Sequence, residues 1–187
     1  MALRIIGGEF GGRRLEAPPG RRTRPTRDAV REAWFNAIAA ELPGAAVVDL
    51  FAGTGALGLE ALSRGAATAD FVESGSAAYR VLRRNVESLA LGERARPLRS
   101  DVFRELEGHA RRAAEEGPAG HPWHVALADP PYGHGTAERL VRVWLAEPFA
   151  DILCVEHGRD ELAGLEPDWH RVYGDTELSF FIASEES

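Results

Sequence analysis

From residue 44 onward, short apolar runs alternate with longer segments whose apolar residues recur at helical spacing. This alternation predicts an α/β fold, with a mostly parallel seven-stranded sheet and helices on both faces. The last two strands leave no room for a helix between them, so we expect an antiparallel C-terminal hairpin. Strands are predicted near 45–50, 69–72, 95–99, 123–128, 150–156, 169–173 and 177–183. Helices are predicted from a glycine-rich turn to about 63, and over 76–90 and 136–146. A helix with a variable loop is predicted over 102–120.

The first 43 residues show a different pattern. Residues 3–6 and 12–15 are predicted to form two short strands of a hairpin that contains several glycines. A loop rich in proline and glycine covers 17–25. A helix is then predicted from Thr26, as its N-cap, to about Leu42. The N-terminal part of the chain is therefore expected to form a small hairpin-and-helix extension.

Charge changes along the chain in a similar way. Residues 1–31 carry a net charge of +5, whereas the remaining residues carry −12. A basic arm on an acidic body indicates a polyanionic partner, although a solvated arm without a partner would have the same charge. We therefore predict two units, an N-terminal extension of 1–43 and a main domain of 44–187.

Composition disfavours several classes of protein. The chain has no apolar run of about 18 residues, so no membrane span is expected, and its N-terminus lacks a signal-peptide pattern. The single cysteine, Cys154, lies in an apolar run and is predicted to be a buried small side chain rather than a nucleophile. The six histidines show no metal-ligand spacing, so no metal site is predicted. A cytoplasmic protein is expected.

The sharpest local signal is a glycine-rich loop after the first predicted strand. Gly53, Gly55 and Gly58 satisfy the G-x-G-x-x-G pattern, and Glu73 follows at the distance expected of a ribose-binding acid. This pattern alone is compatible with a nicotinamide dinucleotide. Asp49 favours a different ligand, because a carboxylate before the turn repels a pyrophosphate but attracts the ammonium and sulfonium of S-adenosylmethionine.

Four acidic residues lie at the carboxyl ends of predicted parallel strands or directly after them. They are Asp49, Glu73, Asp101 and Asp129. In an open α/β sheet, ligands bind at the carboxyl ends of the strands, so these side chains are expected at one edge. The alternative is that each acid only caps the helix that follows it.

A second signal, Asp129-Pro130-Pro131-Tyr132, follows the fourth predicted strand. Two prolines fix the backbone and remove two N–H donors. The Asp129 side chain and the Pro130 carbonyl could accept both hydrogens of an exocyclic amine, and the Tyr132 ring could stack on a base that has left its helix. The alternative is a rigid Pro-Pro turn with a packing tyrosine.

These motifs together resemble the bacterial RsmD family of class I (Rossmann-like) methyltransferases, which modifies N2 of a guanine in 16S ribosomal RNA. The resemblance covers nearly the whole chain. It includes Arg4-Ile5-Ile6-Gly7-Gly8 with Gly12-Arg13, Arg24-Pro25-Thr26, Asp28, Val30-Arg31-Glu32, Phe35-Asn36, 51–65 (FAGTGALGLEALSRG), Val72-Glu73, Asn85, Asp129 to Tyr132, Val155-Glu156 and Tyr173-Gly174-Asp175-Thr176.

The resemblance implies S-adenosyl-L-methionine as cofactor, with S-adenosyl-L-homocysteine as product. Catalysis is assigned to Asp129, Pro130, Pro131 and Tyr132. Cofactor contacts are expected from Asp49, Phe51, Ala52, Gly53, Thr54, Gly55, Glu73, Ser74, Asp101 and Val102. RNA contacts are expected from Arg4, Arg13, Arg14, Arg22, Arg24, Thr26, Arg27 and Arg31. The chain departs from the family at Ser74-Gly75-Ser76, where a charged residue is usual, which weakens the assignment of the adenine side.

Three other functions are compatible with parts of the pattern. A DNA adenine-N6 methyltransferase would use the same tetrad, although 187 residues leave little for a separate DNA-reading domain. A nicotinamide oxidoreductase would use the glycine loop, and a non-catalytic RNA-binding module would use only the basic arm. The preferred prediction is a monomeric rRNA methyltransferase that acts on 16S rRNA, within a small ribosomal subunit or an assembly intermediate, without membrane contact.

Overall fold

A computed structural model describes residues 3–17, 25–116 and 122–184. Within these ranges it contains seven strands and five α-helices. The strands are β1 Ala46–Leu50, β2 Thr68–Val72, β3 Ala95–Leu98, β4 Trp123–Ala128, β5 Ala150–Gly158, β6 Trp169–Tyr173 and β7 Thr176–Ile182. The helices are α1 Pro25–Ala37, α2 Ala56–Ser63, α3 Ser76–Ser88, α4 Val102–Glu116 and α5 Thr136–Ala146.

All seven strands form one sheet in the order β3-β2-β1-β4-β5-β7-β6. The first five strands pair in parallel, whereas β7 is antiparallel to both β5 and β6. Tyr173 and Thr176 are paired across a two-residue turn, so β6 and β7 form the expected hairpin. The predicted fold class is therefore confirmed, and the carboxyl ends of β1, β2 and β4 lie at one edge of the sheet.

Helices cover both faces of the sheet, as the alternating strand pattern requires. Val47 and Val48 are adjacent in β1 and both fully buried, yet they belong to two different apolar clusters. The cluster around Val47 includes apolar residues of α1, α2 and α3. The cluster around Val48 includes residues of α4 and α5. The strands are hydrophobic nearly throughout because both faces are covered.

The N-terminal segment packs directly on α2. Its two parts pair as an antiparallel hairpin, as predicted: a bridge joins Arg4 and Arg14, and the N–H groups of Ile5 and Leu15 donate to the carbonyls of Arg13 and Leu3, at 3.0 and 2.9 Å. The adjacent N–H groups of Ile6 and Gly7 donate to the carboxylate of Glu60, at 2.6 and 2.9 Å. Glu60 is fully buried in α2, so these bonds fix the segment to the helix.

The first helix differs from its prediction at both ends. It begins at Pro25, so Thr26 lies inside the first turn and is not the N-cap. Proline suits this position because its fixed φ fits the helix and its missing N–H would have no partner there. The helix ends at Ala37 rather than near Leu42, because Glu41 N–H bonds to the carbonyl of Ile38, which gives a tighter turn.

Ile5, Leu15, Trp34 and Phe35 are buried in the same apolar cluster as β1. The N-terminal segment thus shares its core with the main body of the protein. The division between residues 43 and 44 stays a prediction. No helix of the described ranges is long and apolar enough to cross a bilayer.

Candidate active site

The glycine loop joins β1 to α2 at the carboxyl edge of the sheet. Phe51, Gly53 and Gly55 all have positive φ, at 61°, 56° and 82°. Glycine adopts this conformation at no steric cost, whereas Phe51 carries the strain of a bulky residue there. Ala52 N–H donates to the Val72 carbonyl at 3.0 Å, which holds the start of the loop against the end of β2.

Asp49 lies beneath this loop rather than open at the rim. Its side chain is buried, and its Oδ2 accepts a hydrogen bond from Gly58 N–H at 2.8 Å. Burial raises the pKa of Asp49 to about 7, and the nearby Asp129 and Glu73 carboxylates act in the same direction. The side chain therefore uses a donor in the first turn of α2, and it gains negative charge beneath the loop as the pH rises through about 7.

Glu73 follows β2 and reaches across to the loop. Its Oε2 accepts a hydrogen bond from Gly53 N–H at 2.8 Å, and its Oε1 accepts one from Gly75 N–H at 2.5 Å. The side chain thus lies beside the loop and is oriented by two backbone donors. A ribose with two adjacent hydroxyls would meet a carboxylate that is already held in place.

Ser74 and Asp101 line one open cleft between the ends of β2 and β3, together with Pro97 and Leu98. Asp101 also accepts a hydrogen bond from Arg104 N–H at 3.1 Å, so it caps α4. Capping and ligand contact are compatible, because a carboxylate has two oxygens. Val102 is buried, so its side chain belongs to the core.

The tetrad begins immediately after β4, next to the glycine loop. Asp129 is exposed and Pro130 is buried. Tyr132 is 42% exposed, and its hydroxyl donates to Glu156 Oε1 at 2.7 Å. Burial, and then the Glu156 carboxylate, raise the pKa of Tyr132, so the phenol stays protonated and donates this bond. Part of the Tyr132 side chain is therefore accessible, while its hydroxyl has a fixed partner.

Residues far away in the sequence hold the tetrad and the loop in place, and sequence reasoning missed their roles. Glu156 binds the Tyr132 hydroxyl, and Glu161 accepts a hydrogen bond from Gly133 N–H. Asn85, noted only for its resemblance to the family, is 1% exposed and donates to the carbonyl oxygens of Thr54 and Glu16. A local pattern could not reveal these contacts, since they form between different elements.

The predicted RNA contacts separate into three groups. Arg4, Arg13 and Arg14 are exposed on the N-terminal segment. Arg31 is only 8% exposed, and it donates to the Arg4 carbonyl at 2.6 Å and to Asp28 at 3.3 Å. The guanidinium is buried and holds the N-terminal segment to α1. This position argues against the predicted RNA contact. The other four fall elsewhere: Arg22 and Arg24 lie outside the described residues, and Thr26 and Arg27 lie in the first turn of α1.

Two other sequence predictions concern Cys154 and the histidines. Cys154 is fully buried and burial raises the pKa of its thiol, so it is the small core residue that was predicted. Within the described ranges, no group of three or more His, Cys, Asp and Glu side chains could hold a metal ion.

The carboxylates around the glycine loop fit S-adenosylmethionine better than a dinucleotide. Asp49 accepts the Gly58 N–H, which lies in the turn of the helix that a pyrophosphate would approach. The carboxylates of Glu73 and Asp129 lie close enough to Asp49 to raise its pKa. Such a site attracts a ligand that carries positive charge and no phosphate.

Comparison with known proteins places these motifs in a family. A family model described as Conserved hypothetical protein 95 matches residues 3–182. The chain is 39% identical over 150 residues to Ribosomal RNA small subunit methyltransferase D of Escherichia coli K12, an alignment that covers 78% of this chain and 70% of the relative.

Solved structures agree with this match. A protein of Thermus thermophilus is 31% identical, has a TM-score of 0.78, and covers 97% of this chain and 99% of its own. The YhhF protein of Escherichia coli is 32% identical with a TM-score of 0.77, covering 96% and 97%. The chain belongs to the RsmD family of class I methyltransferases.

Proposed function

We propose that this methyltransferase transfers the methyl group of S-adenosylmethionine to the exocyclic N2 amine of a guanine in 16S rRNA. The observation that carries the proposal is the position of the Asp129–Tyr132 tetrad, directly after β4 and beside the glycine loop that follows β1. A methyl acceptor held by the tetrad would thus lie next to a cofactor held by the loop.

The cofactor side is formed by the loop and Glu73. Glu73, oriented by Gly53 and Gly75, would bind the ribose hydroxyls, and the cleft that includes Ser74 and Asp101 would hold the adenine. Asp49, once ionised, would stabilise the positively charged methionine end. The cofactor itself supplies an activated methyl group and a good leaving group, so the protein's task is mainly positioning.

The tetrad would orient the acceptor nitrogen. The Asp129 carboxylate and the Pro130 carbonyl can accept the two amine hydrogens, which directs the nitrogen lone pair towards the methyl group. Tyr132, with its hydroxyl fixed by Glu156, offers the accessible part of its ring to the base. Stacking of this kind contributes about 1–3 kcal/mol per base. The proton lost from the amine after transfer can leave through Asp129.

Several observations support an RNA substrate. The E. coli relative is named for methylation of small-subunit ribosomal RNA. The exposed arginines Arg4, Arg13 and Arg14 lie on the segment that packs on α2, the helix after the glycine loop. Action on an assembled small subunit or an assembly intermediate, action as a monomer and a cytoplasmic location are all parts of the proposal.

The DNA adenine-N6 alternative remains a second candidate because the tetrad accepts any exocyclic amine. The nicotinamide alternative is disfavoured by Asp49, which accepts the Gly58 N–H beneath the loop. A pyrophosphate there would compete with a buried carboxylate for the same helix end.

A transfer assay with isotope-labelled S-adenosylmethionine tests the proposal. Unmethylated small subunits, free rRNA and unmethylated DNA are offered in parallel, and the labelled nucleoside is identified by mass spectrometry. Label in N2-methylguanosine is expected, whereas label in N6-methyladenine would change the substrate and keep the tetrad. Transfer to none of the three substrates would contradict the proposal.

The role of Asp129 is tested by Asp129→Asn, with Glu147→Gln as a matched control. Asp129→Asn should lower transfer at least about 100-fold, since an amide cannot take up the proton that the amine loses. Binding of S-adenosylmethionine, measured by calorimetry, should change less than threefold. Glu147 is exposed at the end of α5, and its substitution should leave both quantities unchanged. Full transfer by Asp129→Asn would exclude the proposed mechanism.

A further inference from the structure

The turn that follows the tetrad is joined to the end of β5 by one carboxylate. Glu161 accepts a hydrogen bond from Gly133 N–H, the residue directly after Tyr132. Its second oxygen accepts a hydrogen bond from Gly158 N–H, the last residue of β5, at 2.8 Å. A single side chain therefore ties the tetrad turn to a strand of the sheet.

Glu161 is itself held in place by its surroundings. It lies in a short turn after β5, between Asp160, which has a positive φ of 62°, and Leu162, which is buried in the α4–α5 apolar cluster. A side chain at Gly158 would approach the Glu161 carboxyl carbon at 3.3 Å, so glycine leaves the space that the carboxylate occupies. The geometry of this turn thus fixes where the carboxylate points.

The tetrad turn depends on such external support. On its upstream side, Pro130 is buried and β4 is part of the sheet. On its downstream side, Gly133 and Gly135 both have positive φ, and exposed residues continue to the start of α5. Glycines in these conformations favour a turn but restrict it weakly. Glu161 supplies a charge-assisted bond at the position where the turn leaves Tyr132.

We infer that Glu161 is a positioning residue for methyl transfer, which holds the Asp129–Tyr132 turn in the geometry that orients the acceptor amine. This inference rests on the proposed function. It assigns Glu161 no contact with the base or with the cofactor. Its effect passes through the backbone of Gly133 to the adjacent Tyr132. The hydroxyl of Tyr132 is bound by Glu156 of β5, the strand that precedes the Glu161 turn.

Loss of the Glu161 bonds is expected to lower kcat and to leave the affinity for S-adenosylmethionine nearly unchanged. Misplacement of a catalytic group by about 1 Å can lower a rate on the order of 100-fold. Glu161→Ala should therefore lower kcat at least 10-fold, while the Kd of S-adenosylmethionine changes less than twofold, because the glycine loop is untouched. Glu161→Gln retains one acceptor oxygen for two N–H donors, so its kcat should lie between those of wild type and Glu161→Ala.

The experiment compares wild type, Glu161→Ala, Glu161→Gln and the control Glu166→Ala, an exposed glutamate a few residues away. Steady-state transfer to small subunits gives kcat, single-turnover transfer gives the rate constant of the methyl-transfer step, and calorimetry gives cofactor affinity. Hydrogen exchange of the peptide that contains Gly133 reports the bond directly. It should accelerate at least 10-fold in Glu161→Ala, by less in Glu161→Gln, and not at all in Glu166→Ala.

The outcomes separate this inference from the proposed function. If wild type transfers no methyl group to any substrate, the proposed function fails, and the Gly133 exchange rate still tests the bond. If wild type is active and Glu161→Ala retains its full kcat, the positioning role is excluded. If Glu161→Ala does not fold, Glu161→Gln decides, because a rate equal to wild type would also exclude the role.

Discussion

At the scale of single residues, buried and half-buried acids define the candidate site. Asp49, Glu73 and Glu161 each accept backbone N–H groups, and these bonds fix the glycine loop and the tetrad turn. Each side chain therefore shapes backbone that would contact a ligand. Two predictions follow from the ionisation of Asp49 and from the bonding of Tyr132.

The first prediction concerns stability as a function of pH. Because burial raises the pKa of Asp49 from about 3.8 to about 7, the folded protein holds a proton that the unfolded chain releases between these values. Protonated Asp49 therefore contributes to stability at low pH. This contribution decreases as the pH rises above about 3.8 and is lost as the pH passes through about 7. Asp49→Asn cannot ionise, so it should gain stability relative to wild type between pH 5.5 and 8. The gain should be on the order of 1–4 kcal/mol.

Thermal unfolding of both proteins at pH 5.5, 7 and 8 checks this prediction. The exposed control Glu166→Gln should show the same Tm difference from wild type at every pH. A Tm difference for Asp49→Asn that stays constant from pH 5.5 to 8 would mean that Asp49 does not titrate in this range.

The second prediction separates the ring of Tyr132 from its hydroxyl. Tyr132→Ala removes the proposed stacking surface and should raise KM for the RNA or lower kcat/KM about 10- to 100-fold. Tyr132→Phe keeps the ring but loses the bond to Glu156, so its loss should be smaller. Both variants should bind S-adenosylmethionine like wild type. Equal losses in the two variants would assign the role to the hydroxyl instead.

At the scale of elements, the N-terminal segment and α2 behave as one unit. Gly8 has a φ of 76°, and a Cβ atom there would lie 1.8 Å from the Ser63 carbonyl oxygen. Glu9 N–H donates to that same oxygen at 2.7 Å. The close approach of the segment to the last residue of α2 therefore requires glycine at position 8.

Gly8→Ala and Gly12→Ala form a matched pair that tests this packing. Both glycines have positive φ, so either substitution costs about 1 kcal/mol of backbone strain. Only Gly8→Ala also forces the segment away from α2, because nothing lies within 4 Å of a Cβ atom at Gly12. Gly8→Ala should lower Tm by several degrees more and weaken RNA binding. Equal Tm values for the two variants would show that the packing does not depend on Gly8.

Local patterns in the sequence predicted most elements and the two motifs of the candidate site, because strand periodicity, glycine turns and Pro-Pro turns are encoded by neighbouring residues. They could not predict Glu156 or Glu161, whose partners lie 24 and 28 residues away. They also failed at Arg31, since charge alone does not reveal burial. The predicted N-terminal hairpin forms, but its attachment to Glu60 was not predictable, because that contact joins residues 54 and 53 positions apart.

At the scale of the whole molecule, the charge distribution and the fold combine. The acidic main body presents carboxylates around the glycine loop, whereas residues 1–31 carry the net charge of +5. A cationic cofactor and an anionic RNA are thus attracted to different parts of one small protein.

The fourth prediction is that RNA affinity falls steeply with salt, whereas cofactor affinity changes little. Each phosphate contact contributes a slope of about −0.7 to −0.9 in log K against log salt. Replacing Arg13 and Arg14 together by Gln should reduce the slope by about 1–2. Arg83→Gln, on α3 and paired with Glu87, serves as the control and should leave the slope unchanged. Fluorescence anisotropy from 50 to 300 mM salt measures the RNA affinity. A wild-type affinity that does not change with salt would exclude phosphate contacts by the N-terminal arginines.

The position of β7 has a consequence for how the chain is made. It is the last strand of the described residues, yet it lies between β5 and β6 and pairs with seven residues of β5. During synthesis, β5 therefore leaves the ribosome with an unpaired edge that includes the apolar Leu153 and Cys154, and unpaired apolar edges promote aggregation. The sheet can close only when Phe180 and Phe181 have been translated. A nascent chain stalled before residue 176 should consequently require a chaperone to stay soluble.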